Sequence, residues 1–273
     1  MKRILITGEH SRIGTAIRDR LNGTPDRYTA ETVSLRGVRP ETLDLSGFDA
    51  IVHTAAIVHR KESGETEALY REINCELTEA LAKAAKRDGV RQFVFFSTMS
   101  VYGMETGTIS KDTVPKPVTQ YGRSKLMAER RIAPLSDEAF RVTILRPPVV
   151  FGPGAKGNPE RLFRLAKRLP FCPDFKNRRS MVSIETLCGA VQRLIDAPRA
   201  GIFFPQEPEP VATCDLIERA MREQGKTPKR SKLLNPAIRV LRACTHVGKK
   251  AFGDLVYEDL SVLPLPDGEE GPQ

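Results

Sequence analysis

Strand-like and helix-like stretches alternate from the first residues to about Leu145, and this alternation constrains the chain more than any other feature. Lys2–Thr7 is an apolar β-type run, and a helix is expected from about Ile13 to Leu21. Further strands are expected at Thr29–Leu35, Ala50–His53, Gln92–Ser97 and Arg141–Leu145. Between them, Glu65–Arg87 reads as one long helix with Leu69, Ile73, Leu77 and Leu81 spaced four apart, and Thr119–Ile132 as another. Strands that alternate with helices pair in parallel through right-handed crossovers. The expected fold is therefore α/β, a doubly wound, Rossmann-type parallel sheet.

The pattern changes after Pro147, where Pro148, Pro153, Pro159, Pro170 and Pro173 interrupt the chain. A helix is expected from about Thr213 to Gln224, Phe204–Pro210 reads as a loop, and Pro236–Ala251 is basic and roughly amphipathic. The expected division is a dinucleotide-binding domain over 1–150 and a smaller, irregular portion over 151–273. The sheet could regain short segments from 180–206, and the acidic, Pro- and Gly-rich end from about 263 reads as a frayed tail. The apolar run at the N-terminus is too short for a signal peptide, and no apolar run is long enough for a membrane span. Five scattered cysteines without paired spacing fit reduced cytoplasmic thiols rather than disulfides or a metal site, so no metal is expected. The net charge of +9 suits an anionic small substrate. No RNA-binding or zinc-finger motif accompanies it, so no nucleic-acid partner is expected. The basic stretch Arg239–Lys250 reads as a lid helix with a solvated basic face, an anionic membrane surface being the lesser alternative. A homodimer is compatible with this sequence, which does not define the oligomeric state.

The first strand runs into Gly8-Glu9-His10-Ser11-Arg12-Ile13-Gly14. Glycine allows a tight turn and close approach of backbone to a pyrophosphate, and the helix start supplies free N–H groups and partial positive charge. Arg12 could add a charge-assisted contact. About twenty residues beyond such a turn, the end of the second strand meets the adenosine ribose, where an acid selects NAD(H). Here Ser34 and Arg36 stand in that region and suit a 2′-phosphate, so NADP(H) is favoured over NAD(H); Glu31 could take the acidic role if the strand ended earlier.

Tyr121 and Lys125 are one helical turn apart and share a face. A free tyrosine ionises near pH 10, so acting as a base at neutral pH requires about 4 kcal/mol of preferential phenolate stabilisation. A nearby ammonium, a second hydroxyl and a nicotinamide cation could together supply it. Ser97–Gly103, at the end of the fourth strand, nominates that hydroxyl.

Taken together these pieces resemble the extended short-chain dehydrogenase/reductases, in the NAD-dependent epimerase/dehydratase group that acts on nucleotide sugars. The resemblance rests on Thr7–Gly14, His53-Thr54-Ala55-Ala56, Asn74, Ser97–Gly103, Tyr121–Lys125, Leu145–Gly154 and Arg178–Ile184, and covers about 1–190. Gly201–Gln206 and Gly253–Glu258 are similar to members found with polysaccharide synthesis. The resemblance implies that Thr98 is the active-site hydroxyl, Tyr121 the acid/base, and Lys125 its partner and a ligand of the nicotinamide ribose. It also implies that Asp44, before Leu45, touches the adenine, that Ala55 and Ala56 pack near the pyrophosphate, and that Pro147 lies near the nicotinamide. Asn74 falls among the cofactor-side positions, and Arg179 matches the residue that grips the substrate diphosphate. Ser11 replaces the middle glycine of the family turn. Met99 and Ser100 replace the Asp-Glu pair of the dehydratases, which argues against 4,6-dehydration. The implied activity is epimerisation by hydride transfer at a sugar carbon, with an NADPH-dependent keto-sugar-nucleotide reductase as the alternative. A non-catalytic NADP(H)-binding sensor or scaffold is the second alternative.

Overall fold

The computed structural model describes residues 1–58, 62–152, 164, 166–258 and 260. The strands are β1 (Lys2–Thr7), β2 (Tyr28–Val33), β3 (Ala50–His53), β4 (Gln92–Phe96), β5 (Gly107–Ile109), β6 (Arg141–Leu145), β7 (Val149–Phe151), β8 (Cys172–Pro173), β9 (Met181–Ser183), β10 (Gly201–Phe203), β11 (Arg230–Ser231) and β12 (Leu255–Tyr257). The described helices are α1 (Arg12–Asn22), α2 (Gly64–Arg71), α3 (Leu77–Arg87), α4 (Gln120–Ile132), α5 (Ile184–Asp196), α6 (Thr213–Glu223), α7 (Asn235–Cys244) and α8 (His246–Phe252).

Six parallel strands make the central sheet in the order β2-β1-β3-β4-β6-β10. Its side chains alternate between two cores, as the pleat requires. Leu5, Ile51, Phe93 and Phe95 face one layer, with Leu81 and Ala85 of α3 and Ala128 and Ile132 of α4. Ile4, Ile6, Val52 and Val94 face the other, with Ile17 and Leu21 of α1 and Leu187 and Val191 of α5. Burial on both faces explains why β4, Gln92-Phe93-Val94-Phe95-Phe96, is buried throughout. The edge strand β2 instead begins by alternating buried and exposed positions.

The chain leaves β1 for β2 on one side, then crosses back over residues 34–49 to β3 on the other. The order therefore reverses between β1 and β3, and open sheets bind ligands in the crevice beyond such a switch point.

The long helix expected over Glu65–Arg87 is divided. A π-turn at Glu72–Glu76 separates α2 from α3, and its wider winding turns Asn74 and Cys75 into the core. Tyr70, Asn74, Thr78 and Leu81 are among the buried positions, whereas Leu69, Ile73 and Leu77 are only partly covered.

Beyond β7, a small third core gathers Cys172, Phe175, Cys214, Ile217, Met221, Ile238 and Phe252. Strand β12 pairs with β5, and β9 with β7, so the last described segments lie against the loops after the sheet. The expected single amphipathic stretch at Pro236–Ala251 is two helices, because Thr245 caps α8 and Gly248 passes too close to the Leu241 carbonyl for any side chain. Pro153, Gly154, Pro159 and the tail expected from 263 lie outside the described residues. No described helix is long and apolar enough to cross a membrane.

Candidate active site

The glycine turn sits at the switch point. Gly8 has φ +94°, and a Cβ there would stand 2.9 Å from the Thr54 hydroxyl; a Cβ on Gly14 would meet the same oxygen at 2.9 Å. Thr54 is held there by donating to the Thr7 carbonyl at 2.7 Å. Ser11 takes up the place of a family glycine by capping α1: its Oγ accepts from the Gly14 amide at 3.2 Å. The Ile13 backbone N–H at the helix start has no partner among the described residues. This is a cradle in which backbone, not side chains, would meet an anion, and it fits a dinucleotide pyrophosphate. Gly8→Ala should cost about 1–2 kcal/mol from the left-handed backbone alone and weaken cofactor affinity. A urea midpoint and a cofactor titration check both parts.

The Arg12 guanidinium donates to the carbonyls of Gly152 at 3.3 Å and Val150 at 3.4 Å, tying α1 to β7.

At the far edge, β2 ends at Val33, so Ser34 and Arg36 follow the strand end. Arg36 is exposed and its side chain has no partner among the described residues. The strand ends two residues earlier than expected, at Val33 rather than Leu35, and Glu31 lies inside it, ion-paired with Arg3 at 3.3 Å. Asp44 is exposed and accepts from the Ser46 amide at 3.0 Å, while Leu45 is buried and donates its amide to Asp88 at 2.9 Å. Ala55 and Ala56 are half-buried on the loop leaving β3, and Pro147 is buried beyond β6, its carbonyl accepting from the Met99 amide at 3.0 Å.

Thr98, Tyr121 and Lys125 are brought together by a close approach of α4 to the loop after β4. Thr119 caps α4, and a Cβ on Gly122 would stand 2.8 Å from the Ser100 carbonyl, so only glycine lets the helix start so near Thr98. Burial pushes the Tyr121 phenol up to about 12, against a hydrogen bond with Thr98 that pulls the other way. The lowering expected from Lys125 is thus absent in the protein alone, and the phenol is held as the acid. Its ring packs on Tyr70, with centroids 6.3 Å apart.

Lys125 is 1% exposed, with its ammonium 4.5 Å from the centroid of Phe95 and no hydrogen bond among the described residues. Burial pulls its pKa down to about 7, opposed by the charge of Glu129. A buried ammonium without a partner fits a group that would receive hydroxyls of a bound ribose. The sign of the stability effect follows. Between about 7 and 10.5 the unfolded chain binds the lysine proton more tightly, so stability should rise with pH. The slope is at most about 1.4 kcal/mol per unit. Above 10 the raised Tyr121 works in reverse. Urea midpoints should climb from pH 7 to about 8.5 in the native protein, before the raised thiols of Cys75, Cys172 and Cys188 work in reverse, and Lys125→Met should flatten the climb.

Behind the pair lies a network without an assigned role in the sequence reading. Glu129 is fully buried, accepts from Ser97, and is gripped by Arg146, whose Nε lies 3.0 Å from the carboxylate. Arg146 also donates to Tyr102 at 2.8 Å, and Tyr257 donates to the Arg146 carbonyl at 2.8 Å. The network joins the ends of β4 and β6 to α4 and β12. Its sequence signal is that Glu129 follows Lys125 by one turn on the same helix face.

Asn74, expected on the cofactor side, is spent elsewhere. It pairs with both backbone groups of Ile57 at 2.9 and 3.0 Å and donates to Ser124 at 3.1 Å. Both amide hydrogens are used, so it positions α4 against the loop after β3 rather than donating to a ligand. Arg179 is buried and, among the described residues, its side chain makes one hydrogen bond, to the Gly253 carbonyl at 2.8 Å, whereas Arg178 is exposed. Burial lowers the Arg179 pKa, with Asp254 and Glu105 opposing. Its remaining donors fit a diphosphate.

Comparison with known proteins agrees with this geometry. Residues 4–202 match the NAD dependent epimerase/dehydratase family. The chain is 32% identical over 245 residues to a UDP-glucose 4-epimerase of Vibrio cholerae, covering 79% of this chain and 74% of that one. It is 30% identical over 176 residues to an N-acetyl-alpha-D-glucosaminyl-diphospho-ditrans,octacis-undecaprenol 4-epimerase of Escherichia coli O157:H7, covering 59% and 53% of the two chains. The solved structure of a UDP-glucuronic acid 4-epimerase from Bacillus cereus in complex with NAD superposes with a TM-score of 0.71 at 19% identity, covering 95% and 88%. The switch-point cradle, the Thr98–Tyr121–Lys125 cluster and this match over most of the chain agree: the protein belongs to the NAD-dependent epimerase/dehydratase family.

Proposed function

We propose that the chain is an NAD(P)-dependent nucleotide-sugar epimerase, acting by hydride transfer at a sugar alcohol or ketone carbon in surface polysaccharide synthesis. The observation that carries this reading is the buried Tyr121 phenol, whose pKa the neighbouring Thr98 hydroxyl lowers against burial, one turn from a buried Lys125 with no hydrogen bond among the described residues. When bound, the nicotinamide supplies a hydride acceptor and donor. Thr98 and Tyr121 then bracket the reacting oxygen, Tyr121 passing its proton to a ketone or taking one from an alcohol. Lys125 orients the ribose, and Arg179 holds the diphosphate so that the sugar reaches Tyr121. Named relatives that are 4-epimerases support this choice. The side chains after Thr98 are a buried methionine and an exposed serine, which supply no carboxylate for 4,6-dehydration. The test is a panel of nucleotide sugars incubated with protein and each cofactor, read by product analysis. Interconversion of C4 epimers supports the reading, and lack of any interconversion overturns it.

The unpartnered Arg36 at the end of β2 favours NADP(H) and, with it, the second reading, a keto-sugar-nucleotide reductase. NADPH should bind more tightly than NADH, and Arg36→Ala should weaken NADPH about tenfold or more while leaving NADH unchanged. Tighter NADH binding by the native protein would remove this preference. Stoichiometric NADPH oxidation by a keto-sugar nucleotide would select the reductase, and cofactor retained through purification would select the epimerase.

A further inference from the structure

We propose that the hairpin of α7 and α8 is a docking face for an anionic lipid bilayer. Only Ile238 of α7 is buried, and the side facing out carries Pro236, Ala237, Val240, Leu241, Ala243 and Cys244. At about 3.6 residues per turn these six occupy one continuous arc of the helix, with Arg239 at its border. Val240 is 62% exposed and Val247, on α8, 63%. Of the eight exposed large apolar side chains among the described residues, four lie between Leu233 and Val247. The solvated basic face expected of a lid helix is therefore reversed at α7: the apolar residues face out, with Arg239 at the border of their arc.

The charge around this arc points to its occupant. From Gln224 to Gly253 the chain has eight Lys or Arg and no Asp or Glu. Arg230, Arg242 and Lys250 are compensated by acids elsewhere. The side chains of Lys229, Lys232, Arg239 and Lys249 have no partner among the described residues. A cleft of about 490 Å³ between the hairpin and Thr106 and Phe175 is bordered by Arg239, Arg242 and Lys249, with room and charge for a headgroup. A second copy of the chain would bring the same cations against this face and be repelled. An anionic bilayer accepts the apolar arc at its acyl boundary and the cations among its headgroups.

This inference does not rest on the proposed reaction, and its test reads no turnover. The purified full chain is sedimented with vesicles of phosphatidylcholine alone or of phosphatidylcholine with phosphatidylglycerol. Sedimentation is expected only with the anionic vesicles, and added salt should weaken it. Arg239→Glu with Lys249→Glu should lower partitioning at least about 25-fold, from about fivefold per cation lost. Val240→Ser with Leu241→Ser and Val247→Ser should abolish it, with the thermal midpoint of each variant showing that the fold is retained. Equal sedimentation with neutral and anionic vesicles, or undiminished binding by the serine variant, overturns the proposal. So does a native dimer in gel filtration that the serine variant dissolves, which would assign the face to a second copy.

Discussion

Tyr121→Phe is expected to lower kcat by about 10²–10⁴-fold and to leave cofactor affinity nearly unchanged. The substitution removes one oxygen and keeps the ring, so the packing on Tyr70 and the path of α4 are preserved. What is lost is the proton donor. Burial holds the phenol up to about 12, so at neutral pH the native group is protonated and ready to give its proton to a ketone. The opposite direction, removing a proton from an alcohol, needs the phenolate to be stabilised by more than the protein alone provides. The measurements are product formation from a nucleotide sugar and a fluorescence titration of the cofactor. Full activity in the variant would remove Tyr121 from the chemistry, and lost cofactor binding would make its role structural.

Glu129→Gln carries the second large effect. The carboxylate is fully buried, and its removal leaves the Arg146 guanidinium, 3% exposed, without its counter-charge. Breaking a buried pair from one side costs about 3–5 kcal/mol, a large share of the total stability of a domain. The loss should appear as a lower urea midpoint. The double variant Glu129→Leu, Arg146→Met should recover much of it, because no charge is then stranded. The same carboxylate accepts from Ser97, the residue before Thr98, and lies one turn beyond Lys125. A disturbed network is therefore expected to reduce turnover in the molecules that remain folded. A Glu129→Gln midpoint within experimental error of the native one would show that the network contributes nothing net.

Strands β1, β3 and β6 are visible in the sequence to the residue, because a strand covered on both faces leaves a short run dominated by apolar residues. The Tyr121–Lys125 turn is equally visible, since i,i+4 neighbours on a helix are neighbours in space. The π-turn at Glu72–Glu76 is not, because leucines spaced four apart fit an ordinary helix as well as an interrupted one. Asn74 illustrates the consequence. Its position in the sequence suggests a ligand contact, yet its amide is used up by Ile57 and Ser124, partners 17 and 50 residues away. Thr54 belongs to the His53-Thr54-Ala55-Ala56 motif, but its role appears only when β1 and β3 lie side by side and one hydroxyl fills the space that two glycines leave open.

Resemblance to a known family implied Thr98; by itself the sequence determined the doubly wound parallel sheet, the glycine turn at its first strand, and the shared helical face of Tyr121 and Lys125. These depend on local periodicity and spacing, which a linear chain displays directly. Tertiary structure decided the rest: that Arg12 is tied to β7, that Glu129 and Arg146 brace the site, that Lys125 is buried with no hydrogen bond among the described residues, and that α7 presents an apolar face outward. Burial and electrostatics depend on what surrounds a side chain in three dimensions. For Lys125, the surrounding core converts an ordinary surface residue type into a desolvated ammonium with a pKa of about 7.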